Sequence, residues 1–312
     1  PGDPSTVYAT SNDWGNSGVF KSTDTGASFT NISGTINTSS INRIELAVTA
    51  DNPQVVYALC SDDATNGFYG LYKSSNGGTS WSLMSDYNDL NLLGWSENGD
   101  DSGGQGWYDL SLAASPTNEN EIYAGGVNIW KSTNGGSSWS LNAHWTGSGG
   151  AEYVHADHHT FDFNPINNVL YSGNDGGLHK TSNGGATWTD VSDGLEILQI
   201  YRIGTAYTDS SILVTGCQDN GSMKMDGNNW YSILGGDGME CLVDYTDEDI
   251  MYAEYYYGSI YRSDNGGYSF NDIKPSSAGN GAWVTPYIIH PTDPTTLYIG
   301  FEDVYQTSNR GN

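Results

Sequence analysis

The chain has 312 residues, 10 of them basic and 37 acidic, for a formal net charge of -27, and 36% of it is hydrophobic. A field of that sign repels nucleic acid and anionic lipid surfaces and favours cations, neutral glycans or plain solubility. No apolar run is long enough for a membrane-spanning helix, and no stretch has a convincing helical period.

An eight-residue pattern of Ser/Thr, any, Asp/Asn, any, Gly, two spacers and an aromatic returns at 22–29, 74–81, 132–139, 181–188 and 263–270. A worn copy at 223–230 keeps Gly227 and Trp230, and a seventh opens at Thr307, Asn309 and Gly311, so that successive copies start 40 to 58 residues apart. The Asp or Asn side chain accepts bonds from backbone N–H groups further on, the glycine supplies positive φ, and the aromatic starts the next strand and packs beneath the turn. Ahead of the third copy, 106–112, 121–124 and 128–131 read as strands, and 138–141 after it makes a fourth. The order returns at 160–163, 169–172, 178–181 and 187–191. Four antiparallel strands at this period predict an all-β protein, a seven-bladed β-propeller forming a single domain over 1–312. The first blade starts at 6–9 without an innermost strand and the seventh stops inside its turn. Ring closure is therefore expected to be incomplete in this chain, and the natural protein to continue into a further C-terminal domain.

The repeat resembles the Asp-box, or BNR, repeat of sialidases, xyloglucanase-type glycoside hydrolases and sortilin ectodomains, over nearly the whole chain. The runs Val154-His155-Ala156-Asp157-His158-His159, Gly173-Asn174-Asp175-Gly176-Gly177 and Gly216-Cys217-Gln218-Asp219-Asn220-Gly221 are more closely similar to secreted propellers of Bacteroidetes type, often labelled glycosyl hydrolase-like. That resemblance implies a propeller in a secreted or cell-surface compartment. Cys60, Cys217 and Cys241 do not make a disulfide framework and are expected to be buried free thiols.

Two long inter-blade segments, 86–105 with Trp95, Glu97, Asp100 and Asp101, and 142–152 with His144 and Trp145, combine rings and carboxylates as sugar sites do. Trp95, Trp107, Trp145 and Tyr153 are the candidate ligand-binding aromatics, with solvated insertion and blade packing as the structural alternatives. Strand alternation sends His155, Asp157 and His159 to one face and His158 to the other. Together with Asp175 and Asp219 they could hold a divalent cation, Zn²⁺ or Ca²⁺; alternate strand residues lie about 7 Å apart, so the three can share an ion only if the strand curls. Asp175 and Asp219 read equally as turn caps.

With only Arg43, Arg202, Arg262 and Arg310, no arginine triad for a sialic-acid carboxylate can be assembled. If the protein hydrolyses glycans, Asp157 or Asp237 is the expected acid and Asp109 or Glu240 the base. The expected function is recognition, with hydrolysis as an extension, of a glycan or polysaccharide. The alternative is a noncatalytic adhesion, assembly or protein-interaction scaffold.

Overall fold

The computed structural model describes residues 2–12, 17–195 and 197–312. Backbone contacts divide the chain into two compact units, Pro1–Leu195 and Glu196–Asn312. The chain is all-β, and among the described residues its strands form seven sheets in which neighbours in the sequence are neighbours in the sheet, the topology of propeller blades.

The first unit holds four sheets. The first has Val7–Ser11, Gly18–Ser22 and Thr30–Asn31; the second, Ile41–Val48, Val56–Asp62, Phe68–Ser74 and Ser82–Asp86. The third runs Ser111–Ala114, Ile122–Gly125, Ile129–Ser132 and Ser140–His144, and Glu152–Tyr153 adds to its outer edge in parallel. The fourth is His158–Phe163, Leu170–Asn174, Gly177–Thr181 and Thr189–Asp190. The second unit has a sheet of Ile200–Thr205, Ile212–Cys217, Gly221–Asp226 and Asn229–Leu234, and another of Gly238–Asp244, Asp247–Tyr255, Ser259–Ser263 and Asn271–Asp272. Its last sheet has three strands, Tyr287–His290, Asp293–Gly300 and Val304–Thr307. Apolar side chains fill the spaces between consecutive sheets: Leu59, Leu71, Leu112 and Trp130 between the second and third, and Val214, Cys241 and Met251 between the two four-stranded sheets of the second unit. The three cysteines are buried and free.

The repeated turn has one hydrogen-bond plan. In the third sheet Ser132 Oγ donates to Asn134 Oδ1 at 2.9 Å, Gly136 N–H to Ser132 Oγ at 2.9 Å, and Ser138 N–H to Asn134 Oδ1 at 3.0 Å. Two successive residues, not one, need positive φ: Gly135 and Gly136 at 70° and 89°, Gly77 and Gly78 at 64° and 86°. In the first sheet the earlier position is Thr25, at φ 64°. A β-branched residue is strained there. Thr25→Gly is therefore expected to stabilise the protein by about 1 kcal/mol, raising the urea midpoint; an unchanged midpoint would count against the strain.

The closing aromatic packs on the preceding sheet, a longer reach than the turn itself. Trp81 Nε1 donates to Ile32 O at 2.7 Å, Trp139 Nε1 to Ser85 Oγ at 3.0 Å, and Trp188 Nε1 to Asn142 Oδ1 at 3.1 Å. Lysines reach the other way. Lys21, lying over the Tyr8 ring at 5.4 Å, donates to Gly77 O at 2.9 Å, and Lys131, over Tyr123 at 5.2 Å, donates to Gly184 O at 3.1 Å. Lys224 repeats this in the second unit on Gly266 O at 3.2 Å. Much of the scarce basic complement thus ties sheets together.

The worn copy at 223–230 is a different object. Asp226 pairs with Asn229, so Gly227 and Asn228 form a two-residue hairpin, and Trp230 is exposed.

Candidate functional site

The segment read as a strand at 106–112 is a turn until Ser111. Tyr108 and Asp109 N–H groups both turn back on Gln105 O, at 2.7 and 3.1 Å. The Arg43 guanidinium, from the second sheet, donates to the carbonyls of Tyr108 at 2.7 Å and of Trp107 and Leu110 at 3.4 Å each. This clamp leaves Asp109 at the head of its strand and wholly buried. Gln105 Nε2 donates to Asp109 Oδ2 at 3.0 Å and also to Asp157 Oδ1. Asp157 itself sits at φ 65°, a conformation costly for a residue with a Cβ.

Burial raises the pKa of both carboxyls, and repulsion from Asp157 adds to the rise at Asp109. Two carboxylates gathered on one amide disfavour each other's ionisation, and burial favours the protonated form of Asp109. Asp109 Oδ1 is buried with no hydrogen-bond partner, a state that costs a neutral carboxyl less than a carboxylate. Asp175 adds repulsion that holds Asp157 up further. Glycoside hydrolysis needs carboxyls about 5–5.5 Å apart for retention or about 6.5–9.5 Å for inversion. Asp109 and Asp157, the base and acid expected from the sequence, share the Gln105 amide, with Asp109 sealed from solvent.

The histidine run behaves differently from a regular strand. The strand starts at His158, leaving His155 and Asp157 in the segment before it, and the register slips between His158 and Thr160. His158 points inward, its Nδ1 2.7 Å from Ser172 Oγ and its ring stacked on Phe161 at 5.6 Å, and burial lowers its pKa to about 3, so it is neutral. His159 points out, with Nε2 2.6 Å from Asp175 Oδ1, a bond that raises its pKa. Tyr108 OH donates to the other oxygen of Asp175 at 2.7 Å, and its ring meets His159 edge-on at 4.9 Å. His155 covers Gly176, where a Cβ would come within 2.3 Å of its ring. Among the described residues, His155, Asp157 and His159 do not bring three ligand atoms within 4.8 Å of one another, whereas Asp157 and Asp175 carboxylate oxygens do approach that closely.

In the second unit the candidate acids have local partners. Asp219, at φ 59° in the turn after Ile212–Cys217, donates its N–H to Asp237 Oδ1 at 2.8 Å. Glu240 pairs with Arg202 Nε at 3.2 Å and is raised by burial. Its backbone N–H donates to Glu254 Oε2 at 3.3 Å, while Thr285 N–H donates to Glu254 Oε1 at 2.9 Å. Glu254 is completely buried, and desolvation raises its pKa to about 7.

The two long segments of the first unit meet. Trp95 O accepts from Asn128 Nδ2 at 3.3 Å and Trp145 Nε1 at 3.4 Å, and lies 3.2 Å from His144 Nε2. Asp101 Oδ2 accepts from Trp95 N–H at 2.7 Å and Ser96 N–H at 3.2 Å, and Ser148 Oγ donates to Glu97. Tyr153 pairs beside His144 on the added parallel strand. Trp95, Trp145 and Tyr153 are 43%, 41% and 58% exposed on this braced scaffold. Trp107, 55% exposed, lies instead against Tyr108 at 5.5 Å.

No protein-family model matches the sequence, and no curated relative matches it. Among solved structures the chain is similar to a GH74 enzyme of Niastella koreensis, at 15% identity and TM-score 0.45, covering 99% of this chain and 51% of that one. A GH74 xyloglucanase from Xanthomonas campestris gives 15% and 0.46, covering 98% and 50%. YCF48 from Cyanidioschyzon merolae gives 14% and 0.42, covering 98% and 92%. The chain thus spans about half the length of the GH74 structures. At these values the comparisons carry no argument about function.

Gln105, Tyr108 and Glu254 were not anticipated from sequence. Glu254 had a signal, a lone carboxylate directly after the run Ile250–Ala253 in the middle of a strand. Gln105 and Tyr108 had none, since their roles depend on partners brought by other sheets.

Proposed function

We infer that the protein is a secreted propeller of the Asp-box type, akin to the Bacteroidetes glycosyl hydrolase-like group, that binds glycans without cleaving them. The observation that carries this reading is the Trp95 carbonyl, shared by Asn128, His144 and Trp145, which locks two inserted segments with three rings turned to solvent. Preorganised aromatic faces suit the apolar face of a pyranose, and neighbouring carboxylates accept its hydroxyls. The burial of Asp109, which closes it to a substrate, favours recognition over hydrolysis.

Affinity electrophoresis in soluble polysaccharides tests the reading. Trp95→Ala and Trp145→Ala are each expected to weaken retention roughly tenfold, about 1.4 kcal/mol, with melting temperature as the folding control. No retention of the parent in any glycan would sink the proposal. The scaffold alternative has support of its own in the second unit, where Tyr256 stacks on Trp283 at 5.2 Å and Tyr257 meets it edge-on at 5.4 Å. Tyr257 holds φ 61°, and all three rings are 40% or more exposed. Such a patch also suits a protein partner.

A further inference from the structure

Beside the braced segment lies a cavity of about 560 Å³ within the first unit, a size in the range of small-ligand sites. Phe68, Tyr69 and Tyr87 supply aromatic wall, and Asp62, Asp100 and Asp101 supply three carboxylates. None of the described residues lining it is basic. Folding uses one oxygen of each carboxylate. Asp62 Oδ1 accepts from the N–H groups of Ala64 and Thr65, Asp100 Oδ1 from Ser96 Oγ, and Asp101 Oδ2 from Trp95 and Ser96 N–H. Asp101 Oδ1 is buried without a partner. Seryl and threonyl hydroxyls of Ser40, Thr65 and Ser102 complete the wall.

Resting on the glycan reading above, we propose that this cavity takes a hexosamine unit with a free, protonated amine. A neutral pyranose would use the rings and hydroxyls but leave the Asp62 and Asp100 carboxylates of the wall with no cation, beside the buried charge of Asp101. An ammonium group answers that charge and gains from the tyrosine faces, and a chain of such units gains further from a protein of net charge -27. An N-acetylated unit loses the charge, and an anionic sugar is repelled. The segment 86–105 would then present both the cavity wall and Trp95 to one oligosaccharide.

Calorimetric titration with three hexamers tests this: glucosamine, N-acetylglucosamine and cellohexaose. The glucosamine hexamer is expected to bind at least about tenfold more tightly than the other two at low salt, and the preference to shrink as salt rises from about 0.05 to about 0.5 M. Asp100→Asn, and separately Tyr87→Ala on an exposed ring, should narrow that ratio to about threefold or less. Asp101 holds the backbone at Trp95, so Asp100→Asn is the safer variant. Equal affinity for the three hexamers overturns the proposal while leaving the glycan reading in place. A preference that survives Asp100→Asn combined with Asp62→Asn also overturns it. Failure of every hexamer to bind overturns both, and displacement of the glucosamine hexamer by oligolysine at equal charge would show that charge alone, rather than the sugar, is recognised.

Discussion

Asp109→Asn should become more stable relative to the parent protein as pH rises, the gap widening by about 2–3 kcal/mol between about pH 5 and pH 7. The folded pKa of Asp109 is raised above its ordinary 3.8, chiefly by burial. Above that ordinary value the unfolded chain gives up the proton and the folded protein keeps it. The folded state then binds more protons, and stability falls with rising pH at about 1.4 kcal/mol per unit for one proton. Asparagine keeps the shape of the side chain without ionising. His158, buried and neutral, acts in the opposite sense below about pH 6.5, because the unfolded chain gains a proton that the folded chain refuses. The difference between variant and parent therefore isolates Asp109. Urea midpoints over a pH series provide the measurement, and parallel curves would refute the raised pKa of Asp109. The same series with Ca²⁺ and Zn²⁺ added to chelator-washed protein tests the sequence-based expectation that His155, Asp157, His159, Asp175 and Asp219 hold a divalent cation. A rise in midpoint that disappears in Asp157→Asn supports it.

Gly216→Ala is expected to destabilise the second unit by about 3 kcal/mol or more, or to prevent its folding. A Cβ there would fall 1.8 Å from Met239 O and 2.6 Å from its carbonyl carbon. Gly204 faces Cys241 O in the same way, at 2.4 Å. Both contacts are to backbone, which cannot rotate aside as a side chain does, so the sheets of Ile212–Cys217 and Gly238–Asp244 would have to separate. Gly227→Ala is the control: its φ is 61°, yet nothing lies within 4 Å of its added Cβ, and about 1 kcal/mol is expected. Equal losses at the two positions in urea unfolding would contradict the steric account.

The repeated turn was legible because its chemistry is local: Ser132, Asn134 and Gly136 bond one another within five residues. The exposed rings of Trp95, Trp145 and Tyr153 were legible because long insertions stand outside the strand period. Local pattern failed where distant residues decide. Residues 106–110 have strand-like composition, but Arg43 draws in their carbonyls from more than sixty positions away. Strict alternation through His155, Asp157 and His159 failed because Asp157 adopts positive φ and the register slips beyond it. The second positive φ of each turn went unnoticed because Thr25 and Arg310 occupy it in the outer copies.

Four copies of the turn place Asn directly before Gly, at Asn76, Asn134, Asn183 and Asn265, the dipeptide most prone to lose its amide ammonia. Deamidation to Asp leaves a product that the first copy already displays. There Ser28 Oγ donates to Asp24 Oδ2 at 2.6 Å, whereas in the later copies the Asn amide donates to Ser80, Ser138, Thr187 and Ser269 hydroxyls at 2.8–2.9 Å. A hydroxyl changes from acceptor to donor by rotating about its C–O bond. Each turn can therefore exchange amide for acid with its bond count intact when the product is Asp, whereas the isoaspartyl product of the same reaction would lengthen the backbone and break the turn.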